Sequence, residues 1–232
     1  MIRRERVPVI MSTWKRIERL PRTLEMLAQQ STPVTLYVWN NNRRQAKQVD
    51  ASLKRSHIPA QSIHCSRNIG GFGRFYLARD LADPHDAVLF IDDDEDFGQS
   101  MVADQLESFA PQSLAGWWAF TYRPGARSYG ERDRVHTPLE RADTVGTGGM
   151  IADASIFTDR GLFRCPRRYW FCNDLWLSYY ASHVRGWRLR RSFADFKFES
   201  DGLDIDLTLG TKKLRAFRYL KRRGWSVGSI GC

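Results

Sequence analysis

Five acids, Asp92-Asp93-Asp94-Glu95-Asp96, follow directly on the apolar run Ala87-Val88-Leu89-Phe90-Ile91. Adjacent carboxylates repel one another unless a cation or positive side chains compensate. In extended chain, residues two apart point the same way, so Asp92 and Asp94 are expected to converge on one ion while Asp93 points elsewhere. Oxygen ligands without histidine suit Mn²⁺ or Mg²⁺. Such an ion bridges diphosphate oxygens and stabilises a departing nucleoside diphosphate. An isolated acidic run would be read more simply, as a solvated loop or an acid-rich helix start. The abrupt junction with a buried strand favours metal binding, because open α/β sheets bind ligands outside the carboxyl ends of their strands.

Two further clusters carry possible chemistry. Gly70-Gly71-Phe72-Gly73 permits close backbone approach, and amides at a helix start attract phosphate; a plain tight turn explains it equally well. Asn40-Asn41-Asn42 reads either as an ordinary turn or as amides that pair with a base or ribose.

Alternating strands and helices must position these groups. Val7 to Ser12, Val34 to Trp39, Ile63 to Cys65 and Ala87 to Ile91 read as strands. The first and last have the near-continuous apolar character of buried parallel strands. Helices are expected at Pro21 to Gln30, at Gln45 to Arg55, and from Gly70 through Leu81. This alternation predicts an α/β fold with a mainly parallel sheet. Further on, Trp117 to Tyr122 reads as a strand, Arg123 to Arg141 as a long polar loop, and Thr147 to Ile151 as renewed order. Asp174 to Arg185 reads as a helix stopped by Gly186, and Trp187 to Phe193 as a strand. Thr211 to Arg223 reads as a basic helix. The expected organisation is one domain over 1–210, with halves of about 1–97 and 98–210, followed by a basic helical tail over 211–232.

The 232 residues carry a net charge of +10 and are 42% hydrophobic. That balance allows a packed core and favours a polyanionic partner. No apolar run approaches the roughly 18–20 residues needed to span a bilayer. The start, Met1-Ile2-Arg3-Arg4-Glu5-Arg6, is basic, and the apolar stretch after it is short and broken by Pro8 and Lys15, a poor signal peptide. Cys65, Cys165, Cys172 and Cys232 have no zinc-site spacing and read as reduced thiols. A cytoplasmic location follows, the host cytoplasm for a viral protein.

Phe90-Ile91-Asp92-Asp93-Asp94 resembles the D-x-D segment of GT-A-fold glycosyltransferases, particularly the family-2-type group. Val9 to Arg16 resembles that group's first strand and donor loop. Trp39-Asn40-Asn41 is similar to its second strand end, with asparagine where aspartate is common. Arg67 to Arg74 is similar to its asparagine–glycine segment, and the likeness runs in order over about residues 7–193. The resemblance implies a sugar transfer from a nucleotide-diphosphate sugar, a UDP-sugar being the guess, with hexosyl or pentosyl chemistry. It places Thr13, Trp14, Arg16, Asn40, Asn41, Asn68, Gly70, Gly71, Arg74, Asp92, Asp93, Gly148 and Gly149 around the donor, and Asp92 and Asp94 on the metal. Family members carry an acidic pair at the start of a late helix. Trp170 to Ser178 resembles that element, with Asn173 in place of one acid and Asp174 retained. Asp174 is thus the expected base of an inverting transfer, against the simpler role of a helix-start acid. Trp170, Asn173 and Trp176 are weaker candidates for the acceptor side. No histidine follows His183, so the ion is expected to rely on Asp94, Asp92, phosphates and water.

The acceptor is open. A hydroxymethylated DNA base, as modified by small viral glycosyltransferases, fits the charge; a glycan, a lipid-linked sugar or a protein are the other classes. The basic C-terminal segment suits an anionic membrane surface, nucleic-acid phosphates, or simple packing by its apolar face. The competing functions are a nucleotidyltransferase and a non-catalytic nucleic-acid-binding module.

Overall fold

Strands buried on both faces have no solvent side to carry polar residues, and the strands over residues 7–13 and 87–92 are of this kind. Residues 5–82, 86–198 and 209–228 are described by the computed structural model. Their first half alternates β1 (Val7–Thr13), α1 (Leu20–Ala28), β2 (Val34–Asn40), α2 (Ala46–Lys54), β3 (Ala60–His64), α3 (Gly73–Leu81) and β4 (Ala87–Asp92). Then come β5 (Glu95–Phe97), α4 (Met101–Glu107), β6 (Ser113–Gly116), β7 (Ala119–Tyr122), β8 (Arg132–Arg134), β9 (Thr144–Val145) and β10 (Met150–Asp153). The chain continues through α5 (Asn173–Tyr179), β11 (Arg188–Arg191), β12 (Phe196–Phe198) and α6 (Gly210–Arg222). Met1 to Arg4 of the basic start, and Cys232, lie outside the described residues.

The main sheet has seven strands in the order β11-β6-β10-β4-β1-β2-β3. All its pairings are parallel except those of β10, which runs against both β4 and β6. The mainly parallel α/β reading therefore holds, with one reversed strand near the middle. Alternation divides the strand residues between two cores. Ile10, Phe90 and Met150 join one with α3, α5 and α6, while Val9, Met11, Leu89 and Ile151 join the other with α1 and α4. Two small sheets, β12-β5 and β8-β7-β9, complete the fold.

Register decides where chemistry can gather. Ser12 pairs opposite Asp92 and Thr13 opposite Asn40, so the carboxyl ends of β1, β2 and β4 finish level. Because β10 is antiparallel, with Met150 opposite Phe90, Gly148 and Gly149 enter it at that same edge.

Several elements differ from expectation. The late helix narrows to α5 and then widens into a π-helix over Tyr180–Val184, stopped by Gly186 at φ 69°. Trp117 precedes its strand, and the polar loop after Tyr122 contains β8. The basic C-terminal helix packs by its apolar face: Ala216, Phe217 and Leu220 are buried, and the Phe217 ring stacks 4.7 Å from that of Tyr122. Replacing Phe217 by Ala removes a fully buried ring and should cost about 3 kcal/mol. Urea denaturation checks this; a loss under about 1 kcal/mol would mean that the helix is only loosely docked.

Candidate functional site

The level carboxyl ends open on a cleft of about 430 Å³. Asp92 ends β4, and its Oδ1 accepts a 2.6 Å hydrogen bond from Arg74. The same guanidinium donates to Ser12 Oγ at 2.5 Å and to the Thr147 carbonyl at 3.2 Å. Arg74 is only 4% exposed, so a buried cation ties β1, α3, β4 and the approach to β10 into one frame. Asp94 Oδ2 lies 2.8 Å from the Arg16 guanidinium, and Asp93 Oδ1 lies 3.5 Å from it. Glu95 is buried; its Oε2 accepts from the Asp92 amide at 2.9 Å, and its Oε1 has no hydrogen-bond partner among the described residues. Asp96 turns out of the cleft and binds Arg19 and Arg22.

Burial and mutual repulsion set the charge of this group. Burial raises Asp94 to about 7, with Asp92 and Asp93 adding to the rise and Arg16 opposing it. Burial also raises Asp93. Glu95 stands well above the usual range, first through burial and then through Asp92. A buried excess of carboxylates over guanidiniums is an environment that a cation stabilises.

Asp92 and Asp94 lie near enough for the charge of the one to raise the other. Each meets its own arginine, and the neighbour of Asp92 is Glu95: a Cβ on Gly148 would lie 2.5 Å from Asp92 Oδ2 and collide with Glu95 Oε1. Among the described residues, no three His, Cys, Asp or Glu side chains gather to hold an ion. A cation of the Mg²⁺ type needs only one or two carboxylates when substrate phosphates and water complete its shell. Asp92 and Asp94, on the cleft wall beside the orphaned Glu95 oxygen, fit that smaller demand.

Thr13, Trp14, Arg16, Asn68, Gly70, Gly71 and Asp93 also line the cleft. Asn41 lines it too, but its amide is engaged: Oδ1 accepts from Trp39 Nε1 and the Ile69 amide, and Nδ2 donates to the Gly70 carbonyl. The asparagine thus anchors the glycine segment. Gly70 and Gly71 have a packing reason of their own, since side chains there would run into Phe171 and Asn173.

The opposite wall comes from the second half. Asp174 lies in the first turn of α5, lines the cleft, and sits 3.6 Å from Lys213 Nζ of α6. Lys213 also donates to Tyr129 Oη at 3.2 Å. Neighbouring Asn173 donates to Thr147 Oγ1 at 3.0 Å, joining this wall to the Arg74 frame. Asn40, Gly149, Trp170 and Trp176 lie behind the walls. The Asn40 amide closes the turn to Asn42 and meets His64. The Gly149 carbonyl binds Gln105 and the Trp117 amide. Trp170 stacks on Phe72, and buried Trp176 donates to the Leu162 carbonyl.

Sequence reasoning missed Ser12, Glu95, Trp118, Phe120, Tyr129, Arg132 and Lys213 as cleft residues. Glu95 stood within the acid row. Lys213 and Arg132 gave no local signal, because only tertiary packing brings the basic helix and polar loop here.

Neither a known family profile nor a curated protein matches the sequence. Solved structures do. GalNAc-T7 with UDP, GalNAc and Mn²⁺ matches 83% of this chain at TM-score 0.63 and 11% identity, over 43% of its own length. The S. aureus TarS fragment 1–349 in complex with UDP matches 80% at TM-score 0.53 and 17% identity. The same fragment with UDP-GlcNAc matches 84% at TM-score 0.50 and 15% identity. The chain spans only 57% to 60% of those TarS chains. Likeness at such low identity is a likeness of fold, and the fold is GT-A.

Proposed function

We propose that the chain is a glycosyltransferase that moves a sugar from a nucleotide-diphosphate sugar to an acceptor hydroxyl, with inversion. The observation that supports this best is one cleft with acids and guanidiniums on the carboxyl ends of the central strands and a carboxylate, Asp174, on the facing wall. The likeness to UDP complexes favours a UDP-sugar and hexosyl or pentosyl transfer. Asp174 takes the proton of the acceptor hydroxyl as its oxygen attacks the anomeric carbon. The bond to the diphosphate breaks on the opposite face, and the nucleoside diphosphate departs. Arg74 holds Asp92 in place, and Arg16 holds Asp94. Asp92 and Asp94 would hold a Mn²⁺ or Mg²⁺ ion, which would supply positive charge to the leaving diphosphate. No described helix is long and apolar enough to cross a membrane. Cys65 and Cys165 carry free thiols, in keeping with a cytoplasmic enzyme.

The test is nucleoside diphosphate release from a panel of sugar nucleotides with Mn²⁺. Release is expected from one donor, falling by about 100-fold or more when EDTA strips the metal, since such charge stabilisation is worth several kcal/mol. Pyrophosphate release from a nucleoside triphosphate would instead identify a nucleotidyltransferase. Failure to bind or cleave any donor would sink the reading.

A further inference from the structure

The acceptor end of the cleft has an unusual chemistry. Its three-stranded sheet carries Arg132, whose guanidinium carbon lies 3.8 Å from the ring centres of both Phe120 and Tyr129. A guanidinium held between two rings keeps its N–H groups in plane, along its edge. Among the described residues that guanidinium makes no hydrogen bond or ion pair, yet Arg132 lines the cleft. Trp118 lies parallel to Phe120, 6.2 Å away at 7°, and the 42% exposed Phe198 meets the edge of Trp118.

The hydroxyl protons of a neutral glycan need acceptors, which carboxylates and amides provide and guanidinium and ammonium groups do not. Among the described residues, the one carboxylate on the cleft wall beyond the acid row is Asp174, already beside Lys213. The Asn173 amide nitrogen donates to Thr147 Oγ1. Across this end of the cleft stands an arginine edge set among aromatic faces. An oxyanion matches the edge in a bidentate fork, and a flat base matches the rings. The net charge of +10 acts in the same direction.

We infer that the acceptor is a nucleic-acid strand, one phosphate of which is gripped by the Arg132 edge while a neighbouring base stacks on the rings beside it. Arg132 is then a specificity-determining residue for the proposed transfer. The inference rests on that transferase reading for its place in the reaction, but strand binding is measurable without turnover.

The experiment titrates the full chain, with Mn²⁺, into a fluorescent oligothymidylate and, separately, measures UDP binding by calorimetry. Wild type is expected to bind the oligonucleotide at least about 10-fold more tightly than inorganic polyphosphate of equal charge, because stacking adds to phosphate contact. Arg132→Gln should weaken strand binding about 10-fold and lower the slope of log affinity against log salt by about 0.7, the share of one phosphate on a single strand. Arg132→Lys should recover part of both, and neither variant should change UDP affinity. Absence of oligonucleotide binding, equal binding of polyphosphate, or an unaltered salt slope in Arg132→Gln would each overturn the inference. If UDP binds in those cases, the acceptor assignment falls alone. If UDP fails to bind while the strand binds through Arg132, the transfer reading falls and the nucleic-acid site stands.

Discussion

Asp174→Asn should leave UDP affinity within about twofold of wild type and lower turnover by about 10³-fold, the middle of the range for a lost general base. The change is nearly isosteric, so packing of the α5 start is kept. Asp174 touches none of the acid row; its ion-pair partner is Lys213, from the far end of the chain. A defect in kcat with intact donor binding is therefore the mark of a base, whereas a merely structural acid would alter thermal stability and binding together. Single-turnover rates with saturating donor separate the two. A variant with full activity would remove Asp174 from the reaction.

Gly148→Ala should weaken Mn²⁺-dependent UDP binding by about 100-fold or more. A Cβ at this position would press on Asp92 Oδ2 and Glu95 Oε1, and both carboxylates are held on other sides. Asp92 is fixed by Arg74 through Oδ1, and Glu95 by the Asp92 amide through Oε2. Asp92 cannot yield without breaking its bond to Arg74, nor Glu95 without releasing the Asp92 amide, so the collision displaces Asp92, one of the acids that would hold the ion. Overpacking of this kind also costs about 1–3 kcal/mol of stability, so the variant must be measured well below its unfolding midpoint. UDP affinity within threefold of wild type, in folded protein, would show that the acid row does not receive the diphosphate.

The parts legible in the sequence were those with a local cause. Ile10 and Phe90 sit in near-continuous apolar runs because their strands are covered on both faces, and the acid row marks where β4 leaves the core. The short β6, Ser113–Gly116, has too few residues to establish a period, although it lies inside the main sheet. The reversed direction of β10 leaves no trace in composition, yet it brings Gly148 against Asp92. Asn41 read as a ligand residue because an amide at a strand end serves a nucleoside as readily as a loop; only its three hydrogen bonds distinguish the cases. Trp170 and Trp176 were ambiguous for the same reason, since aromatic rings suit sugar and core alike. Arg132 and Lys213 could not be found from local pattern, because their significance lies in the rings and carboxylate that distant segments bring to them.

The reversed strand also governs how the molecule can be assembled during synthesis. Until residue 153 has left the ribosome, β4 has β1 on one side and a bare row of amides and carbonyls on the other. β6 has no partner in the main sheet before β10 arrives, and β11 cannot join before β6 is placed. An exposed central strand is a template for mispairing. The nascent first half is thus a natural client for chaperones, and truncations that end between β4 and β10 should accumulate as aggregates while the full chain stays in solution.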